Sequence, residues 1–164
     1  MNRTDIPVTV RHLERPADAP VFNPGPLPPL RTMIRAWVTD AHYRLLHEKI
    51  GADCLWWMER AREPHDGMHA VTVLVEDENL VGLLEVGQGH LRYLGLLPRY
   101  RSRGLGKYLL AEAILQGAKT LTTSSADSPA ALPLYLSAGF RVTRTEEQVW
   151  PVPDRLLPAG YARA

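Results

Sequence analysis

The sequence predicts a single α/β domain: a mixed, mostly antiparallel sheet of six or seven strands flanked by helices. Three observations predict it. Apolar and turn-forming residues fall in the order hairpin, strand, helix, strand, helix, strand, which sets helices against a mixed sheet. The length, 164 residues, suits one domain of roughly 100–200 residues. Hydrophobic residues at 45% and charged residues at 23% match a globular chain and exclude a disordered, collagen-like or coiled-coil one. Residues 1–164 are therefore read as one domain, with 16–30 a connecting loop and 151–164 an irregular tail or edge strand.

Val8 to Leu13 alternates as a strand does, with Pro7 at its start, where proline is tolerated. Six of the 14 prolines lie between Pro16 and Pro29. Such a stretch lacks donors and favours extended chain, so it reads as a loop draped over the surface. Thr39 caps a helix that runs to Ile50, and Gly51 suits its left-handed stop. Cys54 to Met58 opens a second short helix or turn that ends between Pro64 and Gly67. Ala70–Val75 is β-branched and reads as a buried strand. Glu76 to Asn79 turns, and Leu80–Val86 returns to complete a hairpin. After Gly87-Gln88-Gly89, His90–Leu97 is the next strand, stopping at Pro98. Gly104–Gln116 has helical spacing, with Gly117 as its stop. Lys119–Thr123 is a short strand. Asp127-Ser128-Pro129 reads as a cap with proline at the first helical position of a helix ending at Gly139. Phe140–Trp150 is a closing strand.

Lys and Arg number 19 against 18 Asp and Glu, a net charge of +1, so no global field argues for nucleic acid or an anionic membrane. No run of about 18 apolar residues exists to span a bilayer. Met1 to Asp5 shows no apolar leader, and the one cysteine, Cys54, forms neither an internal disulfide nor a zinc site by itself. A cytoplasmic protein without a metal is expected.

Chemistry concentrates between Leu96 and Leu110. A strand ends there, a basic glycine-containing loop follows, and a helix begins inside that loop. The first helical amides lack internal partners and sit at the positive end of the helix dipole, which suits a phosphate-bearing ligand. Gly104 and Gly106 let backbone approach that ligand, and Arg99, Arg101, Arg103 and Lys107 add cationic charge. The dinucleotide pattern Gly-x-Gly-x-x-Gly fails because Leu109 stands at its third glycine, and the P-loop spacing is absent. Arg101-x-x-Gly104-x-Gly106, preceded by Pro98, instead resembles the acetyl-CoA loop of the GNAT N-acetyltransferase superfamily. Downstream, Asp127 to Phe140 is similar to the superfamily's second signature, a helix carrying Ala, Leu134-Tyr135 and a terminal Gly139-Phe140. Leu55 to Arg60 resembles a tryptophan-pair segment of one bacterial branch.

That resemblance implies the GNAT fold and acetyl-CoA as cosubstrate, without a metal. It implies cofactor-binding roles for Leu96, Leu97, Arg101, Ser102, Arg103, Gly104, Leu105, Gly106, Lys107, Ser128 and Ala131. Ser128 stands where many members carry an asparagine. Tyr135 matches the residue beside the CoA sulfur. His90 occupies the place where the strand often carries a glutamate base; Glu85, or ordered water leading to either or to Glu48 or Glu59, is the other reading. The implied activity is transfer of acetyl to a primary amine, a small molecule or peptide, within one ternary complex; a homodimer is left open. The alternative is a sensor or scaffold of the same fold that binds acyl-CoA with little turnover.

Several features read as ordinary structure. Trp56 and Trp57 suit helix packing better than an acceptor pocket, although Trp56, Trp57 and Met58 beside Asp53, Glu59, Glu63 and Asp66 would also suit a cationic amine. Apolar neighbours raise a thiol's pKa, which disfavours Cys54 as a nucleophile. His65 and His69 are four apart, but Gly67 between them argues against a helical metal pair.

Overall fold

The computed structural model describes residues 2–51 and 68–154. Its elements are β1 (Arg3–Glu14), β2 (Arg31–Thr39), α1 (Asp40–Gly51), β3 (Met68–Glu76), β4 (Asn79–Gly87), β5 (His90–Leu96), a short 3-10 turn (Pro98–Tyr100), α2 (Gly106–Leu115), β6 (Thr120–Ser124), α3 (Ala131–Ser137) and β7 (Arg141–Pro153). The strands form one sheet in the order β2-β3-β4-β5-β6-β1-β7. Among the described residues, only β5 and β6 run parallel; the other pairs are antiparallel. The expected fold class is present, a mixed sheet of seven strands with helices on both faces.

Local chemistry explains most boundaries. Thr39 Oγ1 accepts the N–H of His42 at 3.3 Å, capping α1 as its sequence predicts. β1 is longer than expected and carries Pro7 inside it, opposite Val149 of β7. Thr9 turns its backbone away from β7, exchanging hydrogen bonds with Ser125 on the other side. By alternation Pro7 faces that same side, and β6 pairing begins only at Val10, so the missing N–H removes no ladder bond. β2 was not anticipated; nine consecutive pairs with β3 hold it at the sheet edge. α3 begins at Ala131, later than the Asp127-Ser128-Pro129 signal implies. Asp127 is engaged instead by the Thr123 hydroxyl at 2.7 Å and the Ser124 N–H at 2.8 Å, so it closes the β6 turn rather than capping a helix. Pro151 and Pro153 belong to β7, an edge strand, and the tail from 155 to 164 lies outside the described residues.

The larger core lies between the sheet and α2 and α3, where Leu109, Leu110 and Ala113 form the buried stripe of α2, with Leu105 just ahead of it, against Leu74, Leu84, Leu91 and Phe140. A smaller cluster of Tyr43, Ile50, Val71, Leu83 and Tyr93 packs α1 on the opposite face. Ile6, Val8, Val10 and Val152 make a third cluster on β1 and β7. The segment from Cys54 to Asp66, with Trp56, Trp57, Met58, Glu59, His65 and the acceptor-side expectations attached to it, lies outside the described residues.

Candidate active site

A backbone irregularity lies beside the site. In the β4–β5 ladder Glu85 pairs with Tyr93 and Val86 with Leu91, so Arg92 is an extra residue on β5. A bulge of this kind bends its strand and increases twist. β5 and β6 then pair only at His90–Thr120 and Leu91–Leu121, at their N-terminal ends. Beyond that point they part, and a cleft of about 1050 Å³ opens between them.

The cleft reaches both faces of the sheet. Register places Leu13 and Arg11 opposite Leu121 and Thr123, and His12 and Val10 opposite Thr122 and Ser124. Leu13 and Leu121 belong to the core under α2, so alternation turns His12 and Val10 to the face that α1 covers. The cleft is lined from one face by Thr123, Asp127, Leu134 and Tyr135, and from the other by Val10, His12, Gln148 and Trp150.

At its mouth sits the basic loop. Ser102 and Gly104 take left-handed backbone, with φ of 63° and 74°. A Cβ at Gly104 would strain that conformation and project into open space, its nearest neighbour being Lys107 Cε at 4.0 Å. Gly106 serves packing as well: a Cβ there would meet Leu134 Cδ2 at 3.3 Å, so its absence lets α3 approach the start of α2. α2 has no side-chain cap at Leu105, which leaves its first amides without a capping side chain, and Leu105, Gly106 and Lys107 line the cleft there.

The expected site residues divide. Ser102, Gly104, Leu105, Gly106, Lys107, Ser128, Ala131 and Leu96 all line the cleft. Leu97 donates its N–H to Val81 O at 2.8 Å. Alternation therefore turns the backbone of Leu96, not Leu97, toward the cleft. Arg101 lines the cleft too, but its Nε donates to Leu96 O at 3.0 Å and its Nη2 to Ile50 O at 3.1 Å, clamping the loop to the end of α1. Arg103 lies over the Tyr100 ring, 5.7 Å from its centroid.

Tyr135 is half-buried at the cleft wall, edge-on to Phe140 at 6.3 Å. Burial, and secondarily the charge of Asp127, push its phenol well above the usual range. Burial also raises the Asp127 carboxyl, against the lowering effect of its bonds from Thr123 and Ser124. Neither expected base is in the cleft lining. His90 Nδ1 meets Thr120 Oγ1 at 2.7 Å at the closed end of the strand pair. Glu85, 6% exposed, accepts the Tyr43 hydroxyl at 2.6 Å on the α1 face, where Tyr43 also stacks on His69. Sequence reasoning missed His12, Thr122, Gln148 and Trp150, since only strand register brings them together. Among the described residues, no group of His, Cys, Asp or Glu is arranged to hold a metal, and no helix is long and apolar enough to cross a membrane.

Comparison with known proteins follows the same lines. Residues 53–150 match the acetyltransferase (GNAT) domain family. Solved structures of similar fold include a GCN5-related N-acetyltransferase from Kribbella flavida, at TM-score 0.53 and 20% identity over 93% of this chain and 60% of that one. A GCN5-related N-acetyltransferase-like protein from Streptococcus suis aligns at TM-score 0.58 and 15% identity, over 90% and 62% of the two chains. A GCN5-related N-acetyltransferase from Sphaerobacter thermophilus aligns at 0.54 and 15%, over 93% and 54%. The chain thus spans little more than half to three fifths of these proteins' lengths. No curated protein matches it in sequence.

Proposed function

The chain belongs to the GNAT acetyltransferase domain family, and from that premise we propose that it transfers acetyl from acetyl-CoA to a primary amine by direct attack in a ternary complex. One observation carries the proposal: the cleft between β5 and β6 has an uncapped helix start and two left-handed loop residues at its mouth. Those features fit a pyrophosphate, because out-turned amides and the helix dipole favour an anion there. Lys107, in the first turn of α2, adds charge, and the cleft volume of about 1050 Å³ is just above the usual small-molecule range of about 300–1,000 Å³.

In this reading the amides from Gly104 to Lys107 hold the diphosphate, while Ser128 and Ala131 line the opposite wall along the pantetheine arm. When bound, acetyl-CoA supplies an activated acyl group as a thioester. The Leu96 N–H, turned into the gap, is the donor for the carbonyl oxygen. Donors aimed at a developing oxyanion are worth about 3–4 kcal/mol. Tyr135 stands at the same wall. Its elevated phenol pKa keeps it protonated, so it serves the leaving sulfur as a hydrogen-bond donor. Arg101 acts from behind, fixing the loop to α1. Because the cleft opens on both faces of the sheet, the amine reaches the thioester from the α1 face while the cofactor enters from the α2 face.

The test is release of free thiol from acetyl-CoA on mixing with primary amines, with mass spectrometry of the acetylated product. Tight acetyl-CoA binding without any release would favour the sensor reading.

A further inference from the structure

The demand for a proton acceptor is severe: an alkylamine of pKa about 10.4 is neutral in only about one molecule in 2,500 at pH 7. On the α1 face of the cleft, a row of hydrogen bonds crosses β7, β1 and β6. Trp150 Nε1 donates to Gln148 Oε1 at 2.9 Å, and Gln148 Nε2 donates to Glu146 Oε1 at 3.5 Å. Glu146 Oε2 meets His12 Nε2, and His12 Nδ1 faces Thr122 Oγ1 at 3.4 Å. His12 and Thr122 both line the cleft.

The order of these bonds sets the histidine tautomer. A carboxylate only accepts, so the ring nitrogen against Glu146 carries the hydrogen, and Nδ1 keeps its lone pair. Arg144 Nη2, a donor only, pairs with the Glu146 carboxylate at 2.9 Å; it also stands 3.1 Å from His12 Nε2, where it competes with the shorter Glu146 contact that assigns the hydrogen to Nε2. Glu146 is accordingly held below the usual carboxylate range, chiefly by its bond from His12. This is the arrangement of a carboxylate orienting an imidazole, with the other nitrogen against Thr122 in the cleft lining. Other groups bear on His12 as well. β7 contributes Glu146 and Arg144, β6 contributes the uncharged Thr122, and Arg92 and Tyr93 of β5 line the same cleft.

We propose that His12 is the general base of the transfer and Glu146 the residue that positions it; the assignment rests on the function proposed above. Nδ1 takes one proton from the ammonium group and passes it to solvent. The freed nitrogen lone pair forms the C–N bond as the C–S bond breaks. The second amine proton ends on the departing thiol. The products are the acetamide, the thiol and one proton in solution.

The experiment is steady-state thiol release by the wild-type chain and by His12→Gln, Glu146→Gln and the double variant, with spermidine, 2-phenylethylamine and glycinamide as acceptors. Glutamine at position 12 retains a donor for Glu146, and thermal melting verifies that the variants fold. His12→Gln is expected to lower kcat/KM for the amine about 10²- to 10⁴-fold at pH 7, with acetyl-CoA KM unchanged. With spermidine and 2-phenylethylamine the loss should shrink about tenfold per pH unit toward pH 9, as free amine replaces the work of the base; with glycinamide, an α-amine of pKa about 8, the loss should level off near pH 8. Glu146→Gln should cost less, and the double variant no more than His12→Gln alone. A loss below threefold, a loss independent of pH, or additive losses would overturn the assignment while leaving the acetyltransferase reading intact. A wild-type chain that releases no thiol with any of the three amines would overturn both.

Discussion

Tyr135→Phe isolates one hydroxyl at the cleft wall while leaving the ring edge-on to Phe140. Burial and the Asp127 charge both raise the phenol's pKa, so full proton transfer to a departing thiolate is uphill from a tyrosine even less acidic than usual. What remains is a hydrogen bond to a group gaining negative charge, which is worth about 1.5–3 kcal/mol. At about 1.36 kcal/mol per decade, that predicts a fall in kcat of about 10- to 150-fold. Because the charge develops only as the C–S bond breaks, the ground-state complex should be spared. Thiol release at saturating acetyl-CoA measures the first quantity, and calorimetric titration of acetyl-CoA measures the second. Wild-type kcat would make the hydroxyl irrelevant, and an equal loss in affinity would make it a binding contact instead.

Other consequences follow from named contacts. Asp127→Asn removes a carboxylate whose pKa is raised in the folded state. Such a group favours folding below its unfolded pKa and loses that contribution as pH rises through the folded one, so the variant's melting temperature should gain on wild type from pH 4 to pH 7. Arg101→Ala deletes the bonds to Leu96 O and Ile50 O, and should cost about 1.5–3 kcal/mol in denaturant unfolding as well as weaken acetyl-CoA binding. Gly95→Ala would drive a Cβ into the Tyr93 hydroxyl, forcing that buried ring off the strand, and unfolding titrations should show a loss of about 1–3 kcal/mol.

The sequence made local features legible and non-local ones obscure. The two hairpin turns, the Thr39 cap and the loop from Arg101 to Lys107 depend on neighbours within a few residues, and each appears where the residue types place it. β2 was missed because an edge strand covered by only one neighbour needs little apolar alternation. The start of α3 was misplaced because Asp127, a good cap in isolation, is captured by Thr123 and Ser124 of the preceding turn. His90 looked suitable because it lies on the strand entering the loop, but β5 and β6 are still paired at that residue, and the cleft opens beyond it. His12 could not be found at all: Glu146 lies 134 residues away, and only the β1–β7 register brings the two together. Glu85 shows the same limit, since its burial beside Tyr43 depends on how α1 crosses the sheet.

The central claim is that the loop and open helix start beside the β5–β6 cleft bind acetyl-CoA. Calorimetric titration of acetyl-CoA into the wild-type chain and into Gly104→Val tests it most directly. A β-branched residue at φ of 74° strains the loop and fills the open space assigned to the diphosphate in the proposed function. The account predicts saturable one-to-one binding by the wild type and a loss of at least tenfold in affinity for a folded Gly104→Val, about 1.4 kcal/mol or more. Equal affinity in the two proteins, or no binding by the wild type, would contradict it.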